Sequence, residues 1–219
     1  MTNNPISCHG RTPRAPGLSA AVLALAGLML VLGFAGAAEA ASASGWLAGK
    51  RVRANASAIT YCSHHGCQKR TLLSLKGKLW NRIAATVRRG RGSPASERRQ
   101  IAAAMKYLEL AGGKASGSAH DKPRTQFDSR GQLDCVDEAT NMTALLVALD
   151  RAKLLRHHTP LGPTRRGVTD GRPWLHYAGT VQEKRSKKVY VIDSWFRPNG
   201  NPAVVVPRAK WLTGWSPKK

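Results

Sequence analysis

Residues 131–141 read GQLDCVDEATN and open an apolar-periodic run that continues to Leu155. Val136, Ala139, Met142, Leu145, Leu146 and Leu149 recur at helical spacing. Their face is broad, as in a helix buried among other elements, so the run predicts a central buried helix. The rest of the chain must then supply layers to cover it. Cys135 stands at the entrance of this run. In the first turn of a helix, unpaired backbone N–H groups and the macrodipole favour a thiolate.

What precedes the run divides into a leader and a folded part. Residues 1–17 are polar, with Arg11 and Arg14 and no acid. Residues 18–38 are uncharged and apolar, and they end in Ala38-Glu39-Ala40, a small-x-small pattern. This predicts a signal peptide over residues 1–40, cleaved after Ala40. The alternative is an uncleaved membrane anchor, since a bilayer needs roughly 20 apolar residues. Either reading places the remainder outside the cytoplasm, in the periplasm or secreted, or held at the inner membrane by residues 18–38. Residues 41–58, small and mixed in polarity, predict a flexible lead-in. Residues 59–219 are long enough for one domain with its own core.

Cysteine usage sharpens the role of Cys135. Once Cys8 leaves with the leader, Cys62, Cys67 and Cys135 remain. In an oxidising compartment an odd count leaves one thiol unpaired. Cys62 and Cys67 enclose Ser63-His64-His65-Gly66 and are close enough to close a disulfide. Two Cys and two His also allow a zinc site, but zinc-finger spacing is missing and adjacent histidines point apart on most backbones. The disulfide is the preferred reading, with no metal and no cofactor expected. Cys135 is then the free thiol.

Leu72, Leu75, Leu79, Trp80, Ile83 and Val87 predict an amphipathic helix that stops at Gly90, although Gly77 leaves residues 71–75 open to a short strand. Ser93-Pro94 is a helix start, and Ile101, Met105 and Leu108 carry that helix to Gly112-Gly113. Residues 114–130 predict a loop. After the central helix, Arg156-His157-His158 suits a helix C-terminus. Residues 159–173, rich in Pro, Gly and Arg, predict another loop. Residues 174–182, 187–196 and 203–206 predict strands joined by turns at 184–186 and 198–201. Helices followed by a small antiparallel sheet make an α+β layout with the Cys-bearing helix packed on the sheet.

His176 and Asp193 flank the 184–186 turn almost symmetrically, so one hairpin brings them side by side. A thiol nucleophile needs an imidazole to take its proton, and that imidazole needs an acceptor on its other nitrogen. Cys135, His176 and Asp193 meet the requirement in chain order. His157 and His158 are about 30 Å of unbroken helix from Cys135, at ~1.5 Å per residue, which argues against them as the base.

Asp134-Cys135 opening a helix, His176 opening a strand and Asp193 in Tyr190-Val191-Ile192-Asp193-Ser194-Trp195 together resemble the papain-like and transglutaminase-like cysteine superfamily. More narrowly, the chain is similar to exported proteobacterial proteins with a DCxDEAxN helix and a VDSWF strand. The resemblance runs over roughly residues 62–211. It implies Cys135 as nucleophile, His176 as general base and acid, and Asp193 as the orienting acid. It also implies Gln132 as a candidate oxyanion donor, although Gln132 is closer to the Cys than in papain-like enzymes. Asp134, Asp137 and Glu138 depart from the pattern, because acids near a thiol oppose its ionisation; the alternative roles for them are binding a cationic substrate group or stabilising the helix start.

The implied function is an exported thiol hydrolase or acyltransferase acting on a peptide or protein amide. The alternative is a non-catalytic, basic, envelope-associated binding protein that keeps the fold. Lys and Arg number 35 against 12 Asp and Glu, a net charge of +23. Losing Arg11, Arg14 and Glu39 with the leader lowers it only to +22. Such a surface favours anionic envelope polymers or lipid as neighbours. No aromatic-interleaved basic signature accompanies it, so nucleic acid is not the expected partner.

Overall fold

The computed structural model describes residues 42–125, 130–167 and 175–218. The leader, on which both the signal-peptide and the anchor readings rest, lies outside the described residues. Among the described residues no helix is long and apolar enough to cross a membrane.

In chain order the elements are α1 (Ala43–Gly49), β1 (Ala58–Ser63), β2 (Lys69–Ser74), α2 (Lys78–Arg88), α3 (Pro94–Ser116), α4 (Cys135–Arg151), β3 (His158–Arg166), β4 (His176–Glu183), β5 (Val189–Asp193), β6 (Val204–Pro207) and α5 (Arg208–Leu212). β1 and β2 form an antiparallel hairpin, and β3-β4-β5-β6 form an antiparallel sheet in that order. The architecture is α+β, as the element pattern predicts.

Helix α4 is buried on almost every side: each residue from Asp137 to Leu149 is withdrawn from solvent. It lies on the sheet face that carries Val181 and Ile192, where a side chain at Gly179 would strike Met142. On its other sides it packs against β1, α1 and α3. The opposite face of the sheet carries Ala178, Val191 and Val206 and is closed by Trp211 of α5. Two faces with alternating inward residues follow from the two-residue period of strands.

Three local expectations need correction. Residues 41–58, read as a flexible lead-in, contain α1, capped by Ser42 accepting from Gly45 N–H at 3.0 Å. Leu47 is buried and Trp46 donates to Thr140 of α4 at 3.0 Å, so packing rather than composition decides the segment. The loop read over residues 159–173 begins as β3, and the Arg156-His157-His158 tract leads into it rather than ending a helix. Pro160 and Pro163 hid this strand, because a proline cannot donate to a ladder. Both are tolerated because β3 is an edge strand with a register shift between Leu161 and Thr164.

The third correction is the end of α3. Gly112 and Gly113 do not stop it; the helix runs on to Ser116 and ends on Gly117 in the left-handed conformation at φ 89°. Gly112 serves close approach instead. A Cβ there would stand 2.4 Å from the ring of Tyr61, which is fully buried. Gly112→Ala is therefore expected to destabilise the protein by about 1–3 kcal/mol through overpacking, although alanine is the better helix former. Urea unfolding of the two proteins measures it; equal midpoints would mean that Tyr61 moves aside freely.

Candidate functional site

The entrance of α4 is built by its own carboxylates. Asp134 is the N-cap and accepts from Asp137 N–H at 2.8 Å, while Asp137 returns the bond to Asp134 N–H at 3.3 Å. This is a reciprocal capping box. Both acids also reach outward to the β1–β2 turn. Asp137 accepts from His65 N–H at 2.8 Å and Cys67 N–H at 2.7 Å, and Asp134 accepts from Gly66 N–H at 2.9 Å. Three successive amides converge because His64, His65, Gly66 and Cys67 all have φ between 55° and 68°. Such a run forms an anion-binding concavity, at a cost of roughly 1–2 kcal/mol for each non-glycine residue.

Cys62 and Cys67 close this turn as a disulfide with a Cα–Cα distance of 4.6 Å, leaving Cys135 as the free cysteine among the described residues. The two sulfurs are bonded to each other, so the zinc alternative loses its thiolates. Asn141 grips the same strand, accepting from Cys62 N–H at 2.7 Å and donating to Cys62 O at 2.9 Å.

Cys135 occupies the first position of α4, half-buried, with its thiol directed at the carbonyl of Leu175 at 3.7 Å. The backbone N–H of Tyr177 also reaches the sulfur and favours its anion. Backbone groups on either side of His176 therefore bracket the thiol. Burial nevertheless dominates: it pushes the Cys135 thiol up to about 12, with the charges of Asp134 and Asp193 adding to the shift and outweighing the helix terminus.

His176 is buried, and its Nε2 lies 2.8 Å from Asp193 Oδ2. In the register of β4 and β5, Gly179 faces Ile192, so Asp193 falls level with Ala178 and His176 one diagonal step beyond it. Diagonal neighbours on one face are within reach of long side chains. The pair lies on the face that Trp211 covers, away from the body of α4, so the helix approaches His176 only by its N-terminal end. The imidazole is stacked 4.4 Å from Trp195 and 5.3 Å from Trp211, with Phe196 edge-on at 5.5 Å. Cys135 packs on the same cluster of Trp195, Phe196 and Val204. Asp193 accepts from Nε2–H; Nδ1 is buried and has no hydrogen-bond partner among the described residues.

Trp211 completes the arrangement by donating its Nε1–H to Asp193 Oδ2 at 3.0 Å. Arg166 holds Trp211 in place, with its guanidinium 4.2 Å from the indole and hydrogen bonds to the carbonyls of Trp211 and Trp215. No sequence pattern marks Trp211 for this role. A buried indole seeks an acceptor, and that need was the available signal.

Gln132 does not turn toward the thiol. Its carbonyl accepts from Lys122 N–H at 2.7 Å and Thr125 Oγ1 at 3.2 Å, and its amide nitrogen donates to the carbonyls of His120 and Gly131. It staples the loop before α4 to itself. His158 is committed elsewhere: Arg98 donates to its Nε2 at 3.0 Å, so its Nδ1–H donates to Glu97 at 2.8 Å. His157 bonds the carbonyl of Arg91 at 2.9 Å.

The acids that looked hostile to a thiolate are largely occupied. Glu138 accepts from Ser194 Oγ, next to Asp193, and is fully buried beside Glu109 and Asp121. Glu109 accepts from Gly200 N–H at 2.9 Å and Asp121 from Leu133 N–H at 2.7 Å. Burial raises Asp121 to about 6, Asp137 to about 7 and Glu109 to about 8. Among the described residues no group of three or more His, Cys, Asp or Glu side chains is arranged to hold a metal ion. No protein-family model, curated protein or solved structure matches the chain.

These raised carboxyls fix the sign of a pH dependence. Between their ordinary range and their folded values, the native state holds protons that the unfolded chain releases. Stability is therefore greatest below that window and falls as pH rises through about 6 to 8. Glu97 acts oppositely: although burial disfavours its anion, bonds from His158, Arg156 and His157 hold its carboxyl low, and its contribution is lost only in stronger acid. The urea midpoint is expected to be higher at pH 5.5 than at pH 8.5, with a flatter profile in Glu109→Gln. A midpoint that rises with pH would contradict it.

Proposed function

We propose that the protein is a thiol hydrolase or acyltransferase of the papain-like and transglutaminase-like class, acting on an amide through Cys135, His176 and Asp193. The observation that carries this reading is the setting of His176: one nitrogen is tied to Asp193, the other is buried without a hydrogen-bond partner among the described residues, and the ring shares Trp195 and Phe196 with the Cys135 thiol.

A thiol held at about 12 is protonated at neutral pH, so the resting site contains a thiol rather than a thiolate. Catalysis starts with rotation of the thiol from the Leu175 carbonyl toward His176 Nδ1. His176 takes the proton as sulfur attacks the substrate carbonyl, and returns it to the leaving nitrogen. Asp193 stabilises the imidazolium between these steps, and the Trp211 N–H fixes the carboxylate that does so. The resulting thioester is resolved by water or by an acceptor amine. Backbone N–H groups at the α4 entrance are the oxyanion donors in this scheme, since the Gln132 amide is engaged by its loop.

The test is the alkylation rate of Cys135 in the full chain at pH 7, followed by peptide-resolved mass spectrometry with iodoacetamide. His176→Ala and Asp193→Asn are expected to slow it by about tenfold or more, within the usual scale of acid–base contributions. Equal rates in all three proteins would remove His176 from the role of base.

A second reading, a binding protein without catalysis, is favoured by the strong upward displacement of the thiol. It expects Cys135→Ala to leave turnover of activated amides and esters unchanged from background, whereas the enzyme reading expects that substitution to abolish turnover.

A further inference from the structure

The α2–α3 hairpin carries a surface that the thiol site does not use. α2 contains no acid at all, and α3 contains two, Glu97 and Glu109, which are 0% and 2% exposed. Both are engaged inward, Glu97 by His158 and Glu109 by Gly200 N–H. Apart from Arg98, which turns inward to His158 and Glu183, the helices' basic residues point the other way. Lys78 and Arg82 on α2 and Arg99 and Lys114 on α3 are exposed, and Lys106 is half-exposed with its ammonium 4.9 Å from the Tyr107 ring. On α3 the positions 99, 106, 110 and 114 fall along one stripe by helical periodicity. No carboxylate of either helix shares this solvent face, so its positive field is not neutralised locally.

The cations surround an apolar floor. Between the helices lies a groove of about 340 Å³ lined by Lys78, Leu79, Arg82, Tyr107, Leu110 and Ala111. Leu110 is 52% exposed at its edge, among the few large apolar side chains left in solvent. Unneutralised cations alone would suit any polyanion. Leucine and tyrosine set among them suit an anion attached to acyl chains, because a hydrophilic polymer gains nothing by covering Leu110. We propose that this face is a docking surface for an anionic phospholipid bilayer, with the cations at the headgroups and Leu110 at the acyl boundary. It is independent of the thiol chemistry.

The test is co-sedimentation of the full chain with phosphatidylglycerol/phosphatidylcholine vesicles and with pure phosphatidylcholine vesicles. The neutral vesicles measure whatever residues 18–38 contribute by themselves. The anionic vesicles are expected to bind more tightly, and less so in 0.5 M NaCl. Each Lys or Arg near an anionic surface is worth about fivefold in affinity, so Lys78→Gln/Arg82→Gln/Lys106→Gln is expected to weaken the anionic component about 100-fold. The same number of charges removed from the β4–β5 turn, in Arg185→Gln/Lys187→Gln/Lys188→Gln, is expected to leave it within about threefold, because none of these residues lines the groove. Leu110→Ser is expected to weaken vesicle binding while leaving binding to soluble polyphosphate unchanged. Equal losses in the two charge variants would overturn the proposal in favour of diffuse attraction. An indifferent Leu110→Ser with full competition by polyphosphate would overturn it in favour of a polymer.

Discussion

The grip of Asp134 and Asp137 on the amides of His65, Gly66 and Cys67 is the contact on which the rest of the structure depends. It joins the disulfide-closed turn to the first turn of α4, and so fixes where the helix begins. Neither partner would hold its shape alone. The turn needs acceptors for the amides that its four consecutive left-handed residues bring together, and the helix needs a cap for its unpaired amides. Asn141, two turns along, clamps the strand that leads into the same turn, so the β1–β2 hairpin and α4 form one body. Cys135 lies between Asp134 and Asp137, and its position is therefore set by contacts in which its own side chain takes no part.

The second organising feature is the division of labour between the two faces of the four-stranded sheet. The face with Val181 and Ile192 receives α4 and is apolar. The other face holds His176, Asp193 and Trp211 in an aromatic enclosure. Helix α4 and the imidazole therefore lie on opposite faces of the sheet, and the thiol at the helix entrance reaches the backbone at the start of β4. That geometry accounts for a thiol that bonds the backbone flanking His176 while the ring itself stays enclosed.

The broad architecture was legible because it rests on periodicity. The continuous apolar face of α4, the Ser93-Pro94 start of α3 and the alternation of β4 and β5 each carry their own signal. The His176–Asp193 pairing was legible for the same reason, since a short turn fixes what lies across a hairpin. What escaped was decided by tertiary contact. α1 is a weak helix by composition and persists because Leu47 and Trp46 are buried against α4. β3 was hidden by prolines that an edge position tolerates. Gly112 read as a stop because nothing local announces the ring of Tyr61. The partners of Asp137 and Gln132, the turn at 65–67 and the loop at 120–125, were not legible because they are distant in sequence or adopt shapes that no pattern specifies. Trp211 was missed because its acceptor lies on another element.

The two arginines beside the aromatic enclosure give the end of the chain an architectural role. Arg166 bonds the carbonyl of Trp215, and Arg124 bonds the hydroxyl of Ser216 at 2.8 Å while lying over Phe196. Residues 211–217 are thus bolted down beside the aromatic enclosure of His176. Changes of composition in that short segment past Trp211, which itself closes the sheet face, would reshape the rim of that enclosure while leaving the Trp211–Asp193 bond in place. It is the cheapest part of the molecule in which selectivity could diverge between otherwise identical scaffolds.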